Sequence, residues 1–188
     1  AFGQFFPNRN GTLGHDYSIA LPGLLAGYYW FRANGPWDVP WFTPAFCGGQ
    51  PFFADPQVGY YSALQLLTLG ADPLTSSYLT TLLFAALGYW GCYLLLRRAF
   101  AVNQHPAVLG AAIFMFNGFF AHRALVGHLG YHGFMLIPWL AYVLVAPSQG
   151  KSHTWLGNAA AGCLAGLIVA YWVQSGLGTL LVPSGLAV

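Results

Sequence analysis

The chain has 188 residues, of which 57% are hydrophobic and 5% charged, with six basic and four acidic side chains and a formal net charge of +2. An ordinary soluble domain carries about 25% charged residues and needs a mostly polar shell, so this composition excludes a water-soluble globule and assigns the chain to a membrane. The small net charge and the scatter of the basic residues exclude a nucleic-acid partner.

In chain order, GHDYSIALPG at residues 14 to 23 comes first, with Asp16 beside His15 at the edge of an apolar stretch. The segment Tyr17 to Phe31 falls short of the ~20 apolar residues a crossing helix needs. Pro22 breaks it, so it is expected to lie along the membrane interface. WDVPWFTPAFCGGQPFFADPQVGYYSALQLL, residues 37 to 67, reads as an ordered, rigid, non-helical loop whose Trp and Tyr suit the headgroup level. A helix start at Pro56, capped by Asp55, follows inside it.

Four spans come next: Ser76 to Leu96, Pro106 to Ala121, Leu129 to Ala146 with a kink at Pro138, and Trp155 to Val173. A fifth begins near Gly178. The chain starts at Ala1 and stops inside GTLLVPSGLAV, and it is expected to be a piece of a longer protein. Antiparallel connections put Arg97, Arg98 and Lys151 on one face, read as cytoplasmic, and Arg9, Arg32 and Arg123 on the other. Asp16, Asp38, Asp55 and Asp72 all precede the first span and share the external side. The expected architecture is an all-α polytopic transmembrane bundle, with residues 1–75 as a membrane-associated external loop carrying interfacial helices and residues 76–188 as the spans. Cys92 and Cys163 fall in spans and Cys47 in the loop, a pattern that implies neither a disulfide framework nor a metal motif.

A carboxylate at the water edge of an apolar cavity can take a proton from an attacking hydroxyl, or stabilise the positive charge on a sugar ring as its leaving group departs. Asp16 is placed for either use, and equally for capping the helix it precedes. In HRALVGHLGYH, residues 122 to 132, His122, Arg123, His128 and His132 are placed to bind a lipid phosphate, or Arg123 and His122 to anchor a helix end at the headgroups. His128 and His132 would need a continuous helix and a third ligand to hold a metal. His122 and His128 are the candidates for a porphyrin's axial ligand, though a Gly-rich junction suits a flat ring poorly. Asn117 and Gln174 within spans read as interhelical hydrogen-bonders.

The order Asp16, then a tryptophan- and proline-rich run with Trp41 and Pro44, then Gly48, Gly49, Pro51, Ala54, Asp55, Pro56 and Gln57, then Tyr60 and Tyr61, resembles the YfhO-like bacterial membrane proteins of the GT-C glycosyltransferase superfamily. NGFFAHRALVGHLGYHGFMLIPWLAYVLV, residues 117 to 145, is similar to the same family's later positions. The resemblance covers nearly the whole chain. It implies a multi-pass protein of the bacterial inner membrane that moves a sugar from a polyprenyl-phosphate donor to an acceptor hydroxyl on the external face, with Asp16 as the catalytic aspartate. The chain departs from the superfamily in having four or five spans where eight or more are usual, and in lacking a D-x-D or E-D pair, which leaves dependence on a divalent metal ion open. The reading therefore sets Asp16 as catalytic group and His15, His122, Arg123, His128, Asp55 and Gln57 on the substrate, with no residue assigned to a metal. Membrane lipids are the expected surroundings. The rival reading is a non-catalytic membrane subunit that packs against partner proteins; a transporter comes third, since no acid lies inside a span.

Overall fold

The computed structural model describes residues 16–177 except 54, 56 and 150–154; His15, Arg9, Lys151 and the expected fifth span lie outside the described residues. The fold is an all-α bundle, and four of its helical stretches are long and apolar enough to cross a membrane: Pro73–Ala99, Gln104–Val126, Leu129–Ala146 and Gly157–Gln174. The chain is thus a multi-pass membrane protein.

Helix α1, Tyr17–Asn34, runs on through Pro22 where a break was expected. Proline removes one internal hydrogen bond, and here α1 is held from outside. Gln65, buried in the short helix α3 (Ala63–Leu67), donates through Nε2 to the Leu24 carbonyl at 3.1 Å and to Thr68 Oγ1 at 3.0 Å. At its far end α1 meets an aromatic cluster, with Phe31 stacked on Tyr60 at 4.5 Å and Phe52 edge-on to Tyr60. These rings order the loop between α1 and α3. It also contains a two-residue antiparallel ladder, β1 (Phe42–Thr43) with β2 (Gln50–Pro51), around a one-turn helix α2, Ala45–Gly48. Burial raises the Tyr60 phenol to about 12, with help from the charges of Tyr61 and Asp38.

The helix expected at Pro56 begins seven residues later, at Ala63, where Ser62 Oγ accepts from Gln65 N at 3.2 Å. Asp55 instead closes a turn, its Oδ1 accepting from Gln57 N at 2.8 Å.

Helix α4, Pro73–Leu94, starts with Asp72 as its cap and Pro73 in its first turn, then widens into a π-turn over Leu95–Ala99. The Arg97 guanidinium donates to the Val102 carbonyl at 2.7 Å and ties the turn that follows. The second span consists of two helices, α5 (Gln104–Met115) and α6 (Gly118–Val126). Asn117 makes the joint, accepting from Phe120 N at 2.8 Å and donating to the Phe114 carbonyl, so its bonds are local rather than interhelical. In the third span a 3₁₀ segment, Leu129–Leu136, leads into α7, Ile137–Gln149. Pro138 therefore sits in the first turn of an α-helix, where its missing N–H leaves no bond unmade, and not at a kink inside one. Helix α8, Trp155–Gln174, completes the set, with Gln174 exposed at its last residue.

The core lies between α4, α6 and the 3₁₀ segment, where Phe84, Ala85, Phe120 and Met135 are buried together. Close approach is built in at Gly91, where a Cβ would stand 2.5 Å from the Trp139 ring. That contact lets Trp139 Nε1 reach the Leu87 carbonyl at 2.8 Å.

Candidate active site

The site is assembled where α6 ends and α1 begins. The last carbonyls of a helix have no partner within it, and α1 supplies them: Tyr17 Oη donates to Ala124 O at 2.7 Å and the Asp16 N–H to Val126 O at 3.1 Å. Burial pushes the Tyr17 phenol well above the usual tyrosine range, so the donor proton stays in place. Gly127 turns the chain with φ +93, and a Cβ there would stand 2.6 Å from Tyr17 N. Only glycine fits both the left-handed backbone and the close approach. The turn brings His128 back over α6, its N–H bonded to the Arg123 carbonyl at 3.0 Å.

Asp16 is not the cap of α1. Its backbone is helical, φ −80 and ψ −12, and no hydrogen bond runs from its carboxylate to the first turn. A capping side chain needs an extended backbone to reach those N–H groups. The Asp16 carboxylate turns instead to His128 Nε2 and meets it through Oδ2, with 46% of the Asp16 side chain left exposed. On the other side of the ring, His128 Nδ1 lies 2.5 Å from Arg123 Nη1. The guanidinium is held over the rings of Tyr131, at 4.4 Å, and Phe119, at 5.1 Å.

This row opens onto a cleft of about 430 Å³, within the range of small-molecule sites. One wall is a single stripe of α1: Asp16, Ile19, Ala20, Gly23 and Leu24. Beyond Asp16 that stripe is apolar, and a Cβ on Gly23 would meet no described atom within 4 Å. The rest of the lining mixes polar side chains, among them Gln50, Asp55, Gln57 and His128, with apolar ones such as Phe52, Val58 and Leu64. No protein-family model, curated protein or solved structure matches this chain. The chemistry of the cleft thus rests on its own side chains.

Of the residues singled out from sequence, Asp16, His128, Asp55 and Gln57 share the cleft. Arg123 does not line it; the guanidinium belongs to a cavity about the size of one water, behind His128. His122 is exposed on α6 and lines neither. His15 is outside the described residues. His128 and His132 do not make a metal pair, because His132 is turned to its own partners: Nδ1 lies 2.6 Å from the Leu129 carbonyl and Nε2 2.6 Å from Tyr171 Oη. Among the described residues no three His, Cys, Asp or Glu side chains converge, and no step below runs through a metal ion.

Sequence reading missed Gln65, Tyr131 and Tyr171. Tyr171 accepts from the Ala63 N–H at 3.2 Å while its hydroxyl meets His132, joining α3, the 3₁₀ segment and α8 beneath the cleft. The signal for Gln65 was available, since a lone amide in ALQLL needs partners if it is buried.

Proposed function

We propose that this chain supplies the external active site of a membrane transferase of GT-C type, in which Asp16 is the general base. The observation that carries the reading is the Asp16 carboxylate: in contact with His128 through one oxygen, nearly half exposed, and lining a cleft that offers both an apolar stripe of α1 and polar side chains. That mixed lining suits an amphiphile. The apolar stripe of α1 would take the chain of a polyprenyl-phosphate donor, while Asp55 and Gln57 would hydrogen-bond sugar hydroxyls. Asp16 would draw the proton from the acceptor hydroxyl as its oxygen bonds to the anomeric carbon. The sugar–phosphate bond breaks in the same step, and the phosphate leaves with the electron pair. The resemblance to the YfhO-like proteins supports this assignment and a place in the bacterial inner membrane.

The test uses the chain reconstituted in lipid nanodiscs with a radiolabelled polyprenyl-phosphate hexose and a lipid extract as acceptor. Label moving into a new lipid or polymer fraction supports the reading; label left wholly on the donor, with the fold intact, sinks it. The second reading, a non-catalytic subunit, draws on the span Gly157–Gln174, of which 11% is buried against 28% of Pro73–Ala99. It predicts co-purification of partner spans and no transfer.

A further inference from the structure

We propose that Arg123 is a positioning residue that locks His128 in the tautomer with its proton on Nε2, and so aims that proton at the Asp16 carboxylate. The argument starts from donor chemistry. A guanidinium has N–H groups only and accepts nothing. With Arg123 Nη1 2.5 Å from Nδ1, that nitrogen must be the acceptor and carries no proton. The ring's single proton then sits on Nε2, the atom that faces Asp16. The row reads cation, neutral ring, anion, with each N–H pointing toward the carboxylate.

Two consequences follow for the site. His128 has no lone pair left with which to take a proton from a substrate: Nδ1 spends its own on Arg123, and Nε2 has none. Asp16 keeps Oδ1, which accepts no hydrogen bond from the described residues, so the role of base passes to the carboxylate. Arg123, for its part, does not leave the row for the cleft. Its guanidinium lies over two aromatic rings, and its Nε is buried without a partner among the described residues. The expected contact between Arg123 and a donor phosphate is replaced by this one. A tautomer fixed from behind is how a buried partner orients an imidazole that must present one chosen nitrogen.

The effect on rate rests on the reading of Asp16 as base; the tautomer does not, which keeps the two separable. The measurement is the ¹⁵N spectrum of histidine-labelled protein in nanodiscs, without substrate, with His128 assigned by its loss in His128→Gln. The inference expects Nδ1 unprotonated and Nε2 protonated in the native chain and in Arg123→Lys, which keeps a donor. In Arg123→Met, which keeps most of the packing and removes the donor, the Nδ1 signal should move toward the protonated position. A protonated Nδ1 in the native chain, or an Arg123→Met spectrum equal to the native one, overturns the inference. Transfer should fall about tenfold in Arg123→Met and recover in Arg123→Lys, a smaller loss than the roughly 10²–10⁴ carried by a general base itself. If the spectra behave as expected but Asp16→Asn still transfers at the native rate, the lock stands and the reading of Asp16 as base falls.

Discussion

Asp16 and Asp72 both stand immediately before a helix, yet only Asp72 caps one. Its backbone is extended, ψ 158, and one carboxylate oxygen accepts from Leu74 N and Thr75 N at 3.0 Å each. Asp16 has a helical ψ of −12, its own N–H bonds to the end of α6, and its carboxylate turns to His128. Part of the difference is local, because Asp72 precedes Pro73 and the residue before a proline is pushed out of the helical region; the rest comes from a contact between residues more than a hundred positions apart. Asp72→Ala should lower stability by about 1 kcal/mol, read from thermal unfolding in detergent. The hydrogen bonds from Thr75, then Leu74, hold the Asp72 carboxyl below its ordinary range. A depressed carboxyl stabilises the fold above its unfolded pKa, so this contribution is lost as pH falls through the lower, folded value. The native chain should therefore lose it in acid while Asp72→Asn shows no such loss. Gly127→Ala has no remedy of that kind: the left-handed φ costs about 1–2 kcal/mol, and the new methyl meets Tyr17. The expected result is a destabilised protein in which α1 has lifted off α6, seen as increased hydrogen exchange at Asp16 and Tyr17.

At the scale of elements, what was legible followed hydropathy, and what was not depended on neighbours. The four spans can be read from apolar length alone. Their internal breaks could not be placed so simply. Asn117 divides the second span because its side chain can bond its own backbone, and Pro138 begins a helix because the 3₁₀ segment precedes it. Helix α1 runs on through Pro22, and Gln65, forty-one residues from Leu24, holds the following turn by the Leu24 carbonyl. Where α3, the 3₁₀ segment and α8 meet, the bond from Trp172 Nε1 to the Gly133 carbonyl at 2.8 Å is joined by those of one hydroxyl. Removing it in Tyr171→Phe leaves the Ala63 N–H and the buried His132 each short of a partner. An unsatisfied buried group costs about 1–3 kcal/mol, so this variant should unfold at lower temperature than the native chain. An unchanged midpoint would mean that the two groups find other partners.

For the whole molecule, the carboxylates and the paired arginines sit at opposite ends. Asp72 precedes the first span and Arg97 and Arg98 lie at its far end, across a stretch of 27 residues, or about 40 Å at 1.5 Å per residue. Tyr17 lies within electrostatic reach of Tyr78 near the start of that helix, which puts Asp16 and the cleft at the acidic end. This sidedness was legible in the sequence as an asymmetry of charge that topology rules do not require; the cleft beside it was not, because its lining comes from four separate stretches of chain. In a background without native cysteines, Gln57→Cys and Ala101→Cys should react with a membrane-impermeant maleimide from opposite sides of sealed vesicles, and labelling from one side would overturn the arrangement. The account turns most directly on Asp16→Asn in nanodiscs, assayed with the labelled polyprenyl-phosphate hexose alongside thermal unfolding. It predicts transfer reduced by roughly 10²–10⁴ with the unfolding midpoint unchanged; transfer at the native rate would contradict it.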